Sequence, residues 1–207
     1  MSSSRPSLLH RLRRRLLLDP AGYGRPMDRA TADNEYRSGA WDHFHQLPEL
    51  PRQRAVVGFV SQLHPNPAIL DLGCGSGSLA QLLQALPFRR YLGVDLSPEG
   101  LRLARGLKLR GCEFVEGDFE SWTPAEKFDV IIFSECIGYA DDPGLLVARF
   151  LPWLAPDGAV IVSYFRSGHW EARWRRVERH VHACAHDIVI NDHGSWDIKL
   201  LRPPSPA

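Results

Sequence analysis

Cysteine is scarce in this 207-residue chain, and Cys74, Cys112, Cys136 and Cys184 form no C-x-x-C pair. That pattern fits free thiols in a reducing compartment better than a disulfide framework. No run approaches the roughly 18 apolar residues that a membrane-spanning helix requires. The leucines near the start make no stretch longer than "LLL", too short for the core of a secretory signal, so the expectation is a soluble, cytoplasmic protein. Charge of one sign is not in excess either. A formal net charge of +1 argues against a nucleic-acid binder that works by bulk electrostatics. There is no internal repeat, and no low-complexity stretch apart from the terminal "RPPSPA". What is present is a chain with 44% hydrophobic and 24% charged residues, enough to bury one sizeable core and too apolar to be globally disordered.

Four parts are distinguished by their patterning. Residues 1–30 form a basic tail, with Arg5, Arg11, Arg13, Arg14, Arg15, Arg25 and Arg29 set against Asp19 and Asp28. Leu8, Leu12 and Leu16 fall on one face of a short helix there. This helix either packs its leucines on the domain or serves as an anchor for a membrane surface or an acidic partner. Residues 31–64 read as a helical lid rich in aromatics and histidines, in which Arg52 to Leu63 predicts a helix with Val56, Phe59, Val60 and Leu63 on one face. Residues 65–203 alternate strand and helix patterns: "AILDLG", "SLAQLLQAL", "RYLGVDLS", "SPEGLRLARGLKL", "CEFVEGDF", "FDVIIFS", "DPGLLVARFLPWL" and "GAVIVSYF". A helix over "HWEARWRRVERHVHACA" follows, then a hairpin of "HDIVIND" and "WDIKLLR". Residues 204–207 are a tail. The fold expected is α/β: a doubly wound, mostly parallel Rossmann-like sheet with an antiparallel C-terminal hairpin and an N-terminal helical lid.

The stretch "ILDLGCGSGSLA" carries the chemistry. Gly73, Gly75 and Gly77 follow the first strand, where ligands of open α/β sheets bind. A dinucleotide fingerprint G-x-G-x-x-G needs its third glycine at 78, where Ser78 stands, and Asp71 would repel a pyrophosphate. An acid suits a ligand that brings positive charge and no phosphate, such as S-adenosylmethionine with its ammonium and sulfonium. Asp95 ends the second strand and can accept from both hydroxyls of a ribose. Asp118 and Phe119 end the third, offering an acceptor for an exocyclic amine and an aromatic face.

These residues resemble the class I S-adenosylmethionine-dependent methyltransferases over roughly residues 65–203. The resemblance implies a seven-stranded sheet with an antiparallel last strand and S-adenosylmethionine as co-substrate. It also implies that the loop matching Asp71, Gly73, Cys74, Gly75 and Gly77 holds the methionine moiety. Asp95 and Leu96 then meet the ribose, and Asp118 and Phe119 meet the adenine. Ser134 and, from the lid, Tyr36 and Trp41 complete the cofactor contacts. The segment "FDVIIFSECIGYADD" matches the family's fourth-strand block. Quinone O-methyltransferases of this superfamily commonly carry an acid and a histidine after that strand; here "ECIGY" keeps Glu135 and replaces the histidine. The layout is closer to small bacterial N-methyltransferases of the Nod-factor kind.

Transfer from a sulfonium is an in-line displacement that positioning alone can accelerate. Glu135, Tyr139 and, from the lid, His43 are the candidate catalytic residues, with Cys136 and Arg37 also near the expected pocket. His182 and His186, spaced i, i+4 on the predicted helix, lack a third ligand, so no metal is expected. The chain has no "[DNS]PPY" motif and no Pro-Cys nucleophile, and little sequence outside the core for target recognition. A small-molecule acceptor is therefore expected, not nucleic acid. The competing readings are a non-catalytic methyltransferase-like scaffold and, less favoured by Asp71, a nicotinamide-dependent oxidoreductase.

Overall fold

The computed structural model describes residues 27–168 and 170–204; the basic helix expected around Leu8 to Leu16 lies outside the described residues. Two helices come first, α1 (Arg29–Arg37) and α2 (Leu50–Leu63). Then follow β1 (Ala68–Leu72), α3 (Ser78–Leu83), β2 (Arg90–Asp95), α4 (Pro98–Gly106), β3 (Cys112–Glu116), β4 (Phe128–Ser134), α5 (Pro143–Phe150) and β5 (Leu154–Phe165). The chain closes with α6 (Trp170–Val177), β6 (His182–Asn191) and β7 (Gly194–Arg202). The seven strands form one sheet in the order β3-β2-β1-β4-β5-β7-β6. All pairs from β3 to β5 are parallel, and β7 runs antiparallel to both β5 and β6. The expected doubly wound sheet with its antiparallel C-terminal hairpin is the architecture observed.

Central strands buried on both faces lose the apolar-polar alternation of a one-sided sheet, and β1 is buried at every position. Its side chains still divide between two cores. Leu70 and Leu72 join Phe133, Phe150 and Trp174 on one face. Ile69 joins Val60, Ile132, Ile161 and Trp196 on the other. Helix starts follow capping chemistry: Asp142 accepts from the amides of Gly144 and Leu145 ahead of α5, and Ser97 accepts from Gly100 ahead of α4. Pro143 and Pro98 sit in the respective first turns, where no amide is needed.

The predicted helix over residues 169–185 requires correction. Helix α6 ends at Val177, and His182 already belongs to β6, paired with Arg202 of β7. Trp170, Trp174, Val177 and Val181 are spaced as a core-facing helical stripe; Trp174 and Val177 are buried on α6, and Val181 is buried beyond the helix end. Antiparallel pairing with β7, interrupted by a bulge between Ala183 and Ala185, captures the remainder. His182 and His186 are therefore strand residues.

His186 belongs to a polar hub. Its Nε2 lies 2.7 Å from Oδ1 of the buried Asp197 on β7, which also accepts from Arg166 through Nε (3.0 Å) and Nη2 (2.6 Å). Trp174 Nε1 donates to the other oxygen at 3.0 Å. Burial pushes the Asp197 carboxyl up, but hydrogen bonds from Arg166 and His186 outweigh it and hold the group below its ordinary value. One carboxylate thus ties α6, the end of β5 and the hairpin together. Asp197→Ala, which strands the Arg166 guanidinium, should lower unfolding stability by about 2–4 kcal/mol in urea titration. Arg90→Ala, at an exposed ion pair with Glu113, should cost under about 1 kcal/mol.

Candidate active site

The strand order reverses at β1, which has β2 on one side and β4 on the other. The loop leaving β1 lies at that switch point and opens into two adjoining hollows, of about 330 Å³ and about 50 Å³. The loop is shaped by its glycines. Gly77 has φ +81° and starts α3 against Ala104 of α4 and Leu107 just beyond it. A Cβ on Gly75, at φ +55°, would strike the Tyr36 hydroxyl.

Asp95 fixes the loop. Its Oδ2 accepts from the Gly75 amide and its Oδ1 from the Ser97 amide, both at 2.8 Å. Burial raises the Asp95 carboxyl to about 6 against these bonds. Asp71 is more deeply isolated. Its Oδ2 accepts from the Tyr91 hydroxyl at 2.5 Å, and its buried Oδ1 has no partner. Burial raises it to about 7. A buried acceptor without a donor, beside a glycine-lined hollow, is a position where a partner is called for.

Helix α2 supplies a polar platform below the smaller hollow. Arg52 is only 2% exposed; its Nε donates to Glu49 at 2.9 Å and its Nη1 to the hydroxyls of Ser134 (2.8 Å) and Ser163 (3.3 Å). Ser163 in turn donates to Glu135 Oε1 at 2.5 Å. The fully buried Gln53 donates to the Phe44 carbonyl and to Ser78 Oγ, and His45 Nε2 lies 2.8 Å from Ser76 Oγ. Arg52, Glu49, Gln53, Ser163 and His45 were not anticipated from sequence. The signal for Arg52 was its place at i−4 from Val56 and i−8 from Val60, on the stripe that packs inward.

The larger cavity gathers most of the anticipated residues: Tyr36 and Trp41 from the lid, Gly73, Asp95 and Leu96, and Asp118 with Phe119. Ser134, Glu135, Cys136 and Tyr139 close its far wall. Tyr36 and Trp41 meet edge to face at 4.6 Å, and Trp41 stands 6.4 Å from Tyr139. Asp71, Cys74 and Gly75 line the smaller hollow instead. Gly77 packs on α4, and Arg37 pairs with Asp33. His43 is placed elsewhere: its Nδ1 lies 2.9 Å from the Ala40 carbonyl and its ring packs on Phe44, outside the cavity lining. The short helical turn of residues 42–45 presents His45, not His43, to the loop. Among the described residues, no group of three or more His, Cys, Asp or Glu could hold a metal ion, and no helix is long and apolar enough to cross a membrane.

Glu135 has φ +61°, a left-handed conformation that costs a non-glycine residue energy and recurs at functional sites. Burial raises its carboxyl, opposed by Arg52 and by the Ser163 hydroxyl.

Residues 34–196 match the family described as Methyltransferase domain. A trans-aconitate 2-methyltransferase of Acidovorax ebreus (strain TPSY) is 35% identical over 127 residues, 59% of this chain and 49% of the relative. One from Azoarcus sp. (strain BH72) is 35% identical over 149 residues, 65% and 55% of the two chains. The chain thus spans about half the length of the curated relatives it matches. The N-methyltransferase NodS from Bradyrhizobium japonicum WM9, in complex with S-adenosyl-L-homocysteine, has a TM-score of 0.72 at 17% identity, covering 86% of this chain and 98% of its own. Magnesium protoporphyrin IX methyltransferase from Synechocystis PCC 6803, with bound S-adenosylmethionine, has a TM-score of 0.66 at 17% identity, covering 89% and 97%.

The Asp71 carboxyl carries a pH signature. Between its ordinary value of 3.8 and about 7, the folded chain holds a proton that the unfolded chain has released. Stability therefore falls as pH rises through that window, and the deficit is constant above it. Asp71→Asn should be more stable than wild type by on the order of 4 kcal/mol at pH 8, with the difference vanishing toward pH 4. Urea denaturation at both pH values measures it.

Proposed function

We propose, from the premise that the chain belongs to the class I S-adenosylmethionine-dependent methyltransferases, that it moves a methyl group from S-adenosylmethionine to an N or O atom of a small-molecule acceptor by in-line displacement. The observation that carries this reading is the pairing of opposite charges at the smaller hollow. Asp71 brings an unpartnered carboxylate oxygen, and Arg52 brings a guanidinium. An α-amino acid end needs both, an anion for its ammonium and a cation for its carboxylate. A pyrophosphate would meet Asp71 as like charge.

From that end the donor runs over the glycines into the larger cavity. Asp95 keeps lone pairs for ribose hydroxyls beyond the two amides it holds. Phe119 offers a face to the base, and Asp118 an acceptor, although its Oδ1 already takes the Glu120 amide at 2.9 Å. The sulfonium then lies over the end of β4, where Ser134, Glu135 and Tyr139 stand. The methyl carbon is activated by its own sulfonium, so the protein's part is to hold donor and acceptor in line and to exclude water. Tyr36, Trp41 and Phe44 cover the cavity from the lid side, and burial keeps the Tyr36 phenol protonated. Trans-aconitate, which the matched relatives' names contain, is one acceptor to be tested.

Calorimetry with S-adenosylhomocysteine is the direct test. The wild-type chain should bind it, Asp95→Ala should weaken binding by roughly tenfold or more, and Tyr139→Phe should stay within about twofold. Absence of binding by the wild type removes the methyltransferase reading.

A further inference from the structure

The wall of the larger cavity has a one-sided charge. Asp95, Asp118, Glu120, Glu135 and Asp141 line it, and among the described residues no lysine, arginine or histidine does. The nearby cations are engaged elsewhere. Arg52 serves the smaller hollow and is paired with Glu49. Arg149 donates to the carbonyls of Phe119, Ser121 and Trp122 behind the wall, and Arg173 donates to the Gly138 carbonyl. His45 is held by Ser76. With Asp95 and Asp118 given to the nucleoside, three acids remain around the acceptor space: Glu135 at depth, and Glu120 and Asp141 joined at the rim, where the Asp141 amide donates to Glu120 Oε1 at 3.1 Å. Beside the acids the lining includes the aromatic rings of Trp41, Tyr139 and Phe44.

Acids combined with aromatic faces recognise a positively charged or proton-bearing nitrogen, through ion pairing and through the negative face of each ring. Among the described residues, the same wall meets a carboxylate with like charge and offers no cation to replace its water. We infer that the acceptor is a small-molecule amine, that polycarboxylates are excluded, and that Glu135 receives the proton the amine must lose before it attacks.

The inference rests on the methyl-transfer reading and names the substrate class of that same site. The amine enters as R–NH3⁺ and gives one proton to the Glu135 carboxylate. Its lone pair then forms the N–C bond while the C–S bond breaks, and that electron pair returns to sulfur. The products are S-adenosylhomocysteine and R–NH2⁺–CH3, and Glu135 passes its proton to water. Three features suit Glu135 to this exchange. One oxygen is fixed by Ser163, the left-handed backbone sets its direction, and burial brings its carboxyl closer to the range where proton exchange is efficient.

The test uses the full chain saturated with S-adenosylhomocysteine. Two size-matched sets of small molecules, primary amines and carboxylic acids, the latter including trans-aconitate, are screened by ligand-observed NMR. The amines should dominate the hits. Glu135→Gln should lower the affinity of the best amines by roughly tenfold or more while its affinity for S-adenosylhomocysteine stays within about twofold. A preference for acids, or no preference between the sets, overturns the inference, as does an unchanged amine affinity in Glu135→Gln. Because product binding is measured first, failure of the donor site and failure of the amine assignment appear in different experiments.

Discussion

The arrangement of the site depends on one carboxylate in a place that costs energy to occupy. Asp95 sits at the end of β2, nearly out of contact with solvent, and holds two backbone amides from two different loops. Gly75 belongs to the turn after β1, and Ser97 to the turn after β2. Without this bridge the glycine loop would be tied to β2 only through the Gly73 and Cys74 amides, which donate to the Val94 carbonyl, and the turn at Gly75 would lose its side-chain support. Charge-assisted bonds to amides are the interaction that makes burial of a carboxylate tolerable, and here they also set loop geometry. The chain continues outward: Ser97, buried, donates its hydroxyl to Asp33 of α1 at 2.5 Å, and the Glu99 amide donates to the same oxygen at 3.1 Å. Floor, crossover and lid are linked through three side chains.

A second network, on the other side of the loop, joins Glu49, Arg52, Ser134, Ser163 and Glu135. It brings residues from α2, β4 and β5 under the point where the two hollows meet. The pairing Ser134↔Ser163 in the parallel register of β4 and β5 places both hydroxyls at the same height. Two serines at the ends of otherwise apolar strands thus give the buried Arg52 hydroxyl partners beside the carboxylate of Glu49.

How much of this the sequence disclosed follows from the range of the interactions. The alternation of strand and helix is local and was legible, as was the glycine loop, whose spacing and preceding acid have direct physical meaning. The cavity wall at Asp95, Phe119 and Glu135 followed from the rule that strand ends bear the ligand. The boundary of α6 was not legible: "VHACAH" has no strong preference, and pairing with β7 decides it. Nor was the choice of His45 over His43, which depends on a short turn. Arg52 and Asp33 were missed for a shared reason. Each is a charged residue on a helix, ordinarily read as solvated, and only a partner more than sixty residues away makes its burial intelligible.

Asp33 has one more effect. It belongs to the lid, yet its carboxylate occupies the amino end of α4, a helix of the central domain whose Leu101 and Ala104 are fully buried. Swinging α1 away would take the Asp33 acceptor from the Glu99 amide and leave Ser97 alone to cap the first turn of α4. Displacement of α1 and loosening of the end of a core helix are then coupled. Exchange of the Glu99 amide would report on α1 as faithfully as any amide within it.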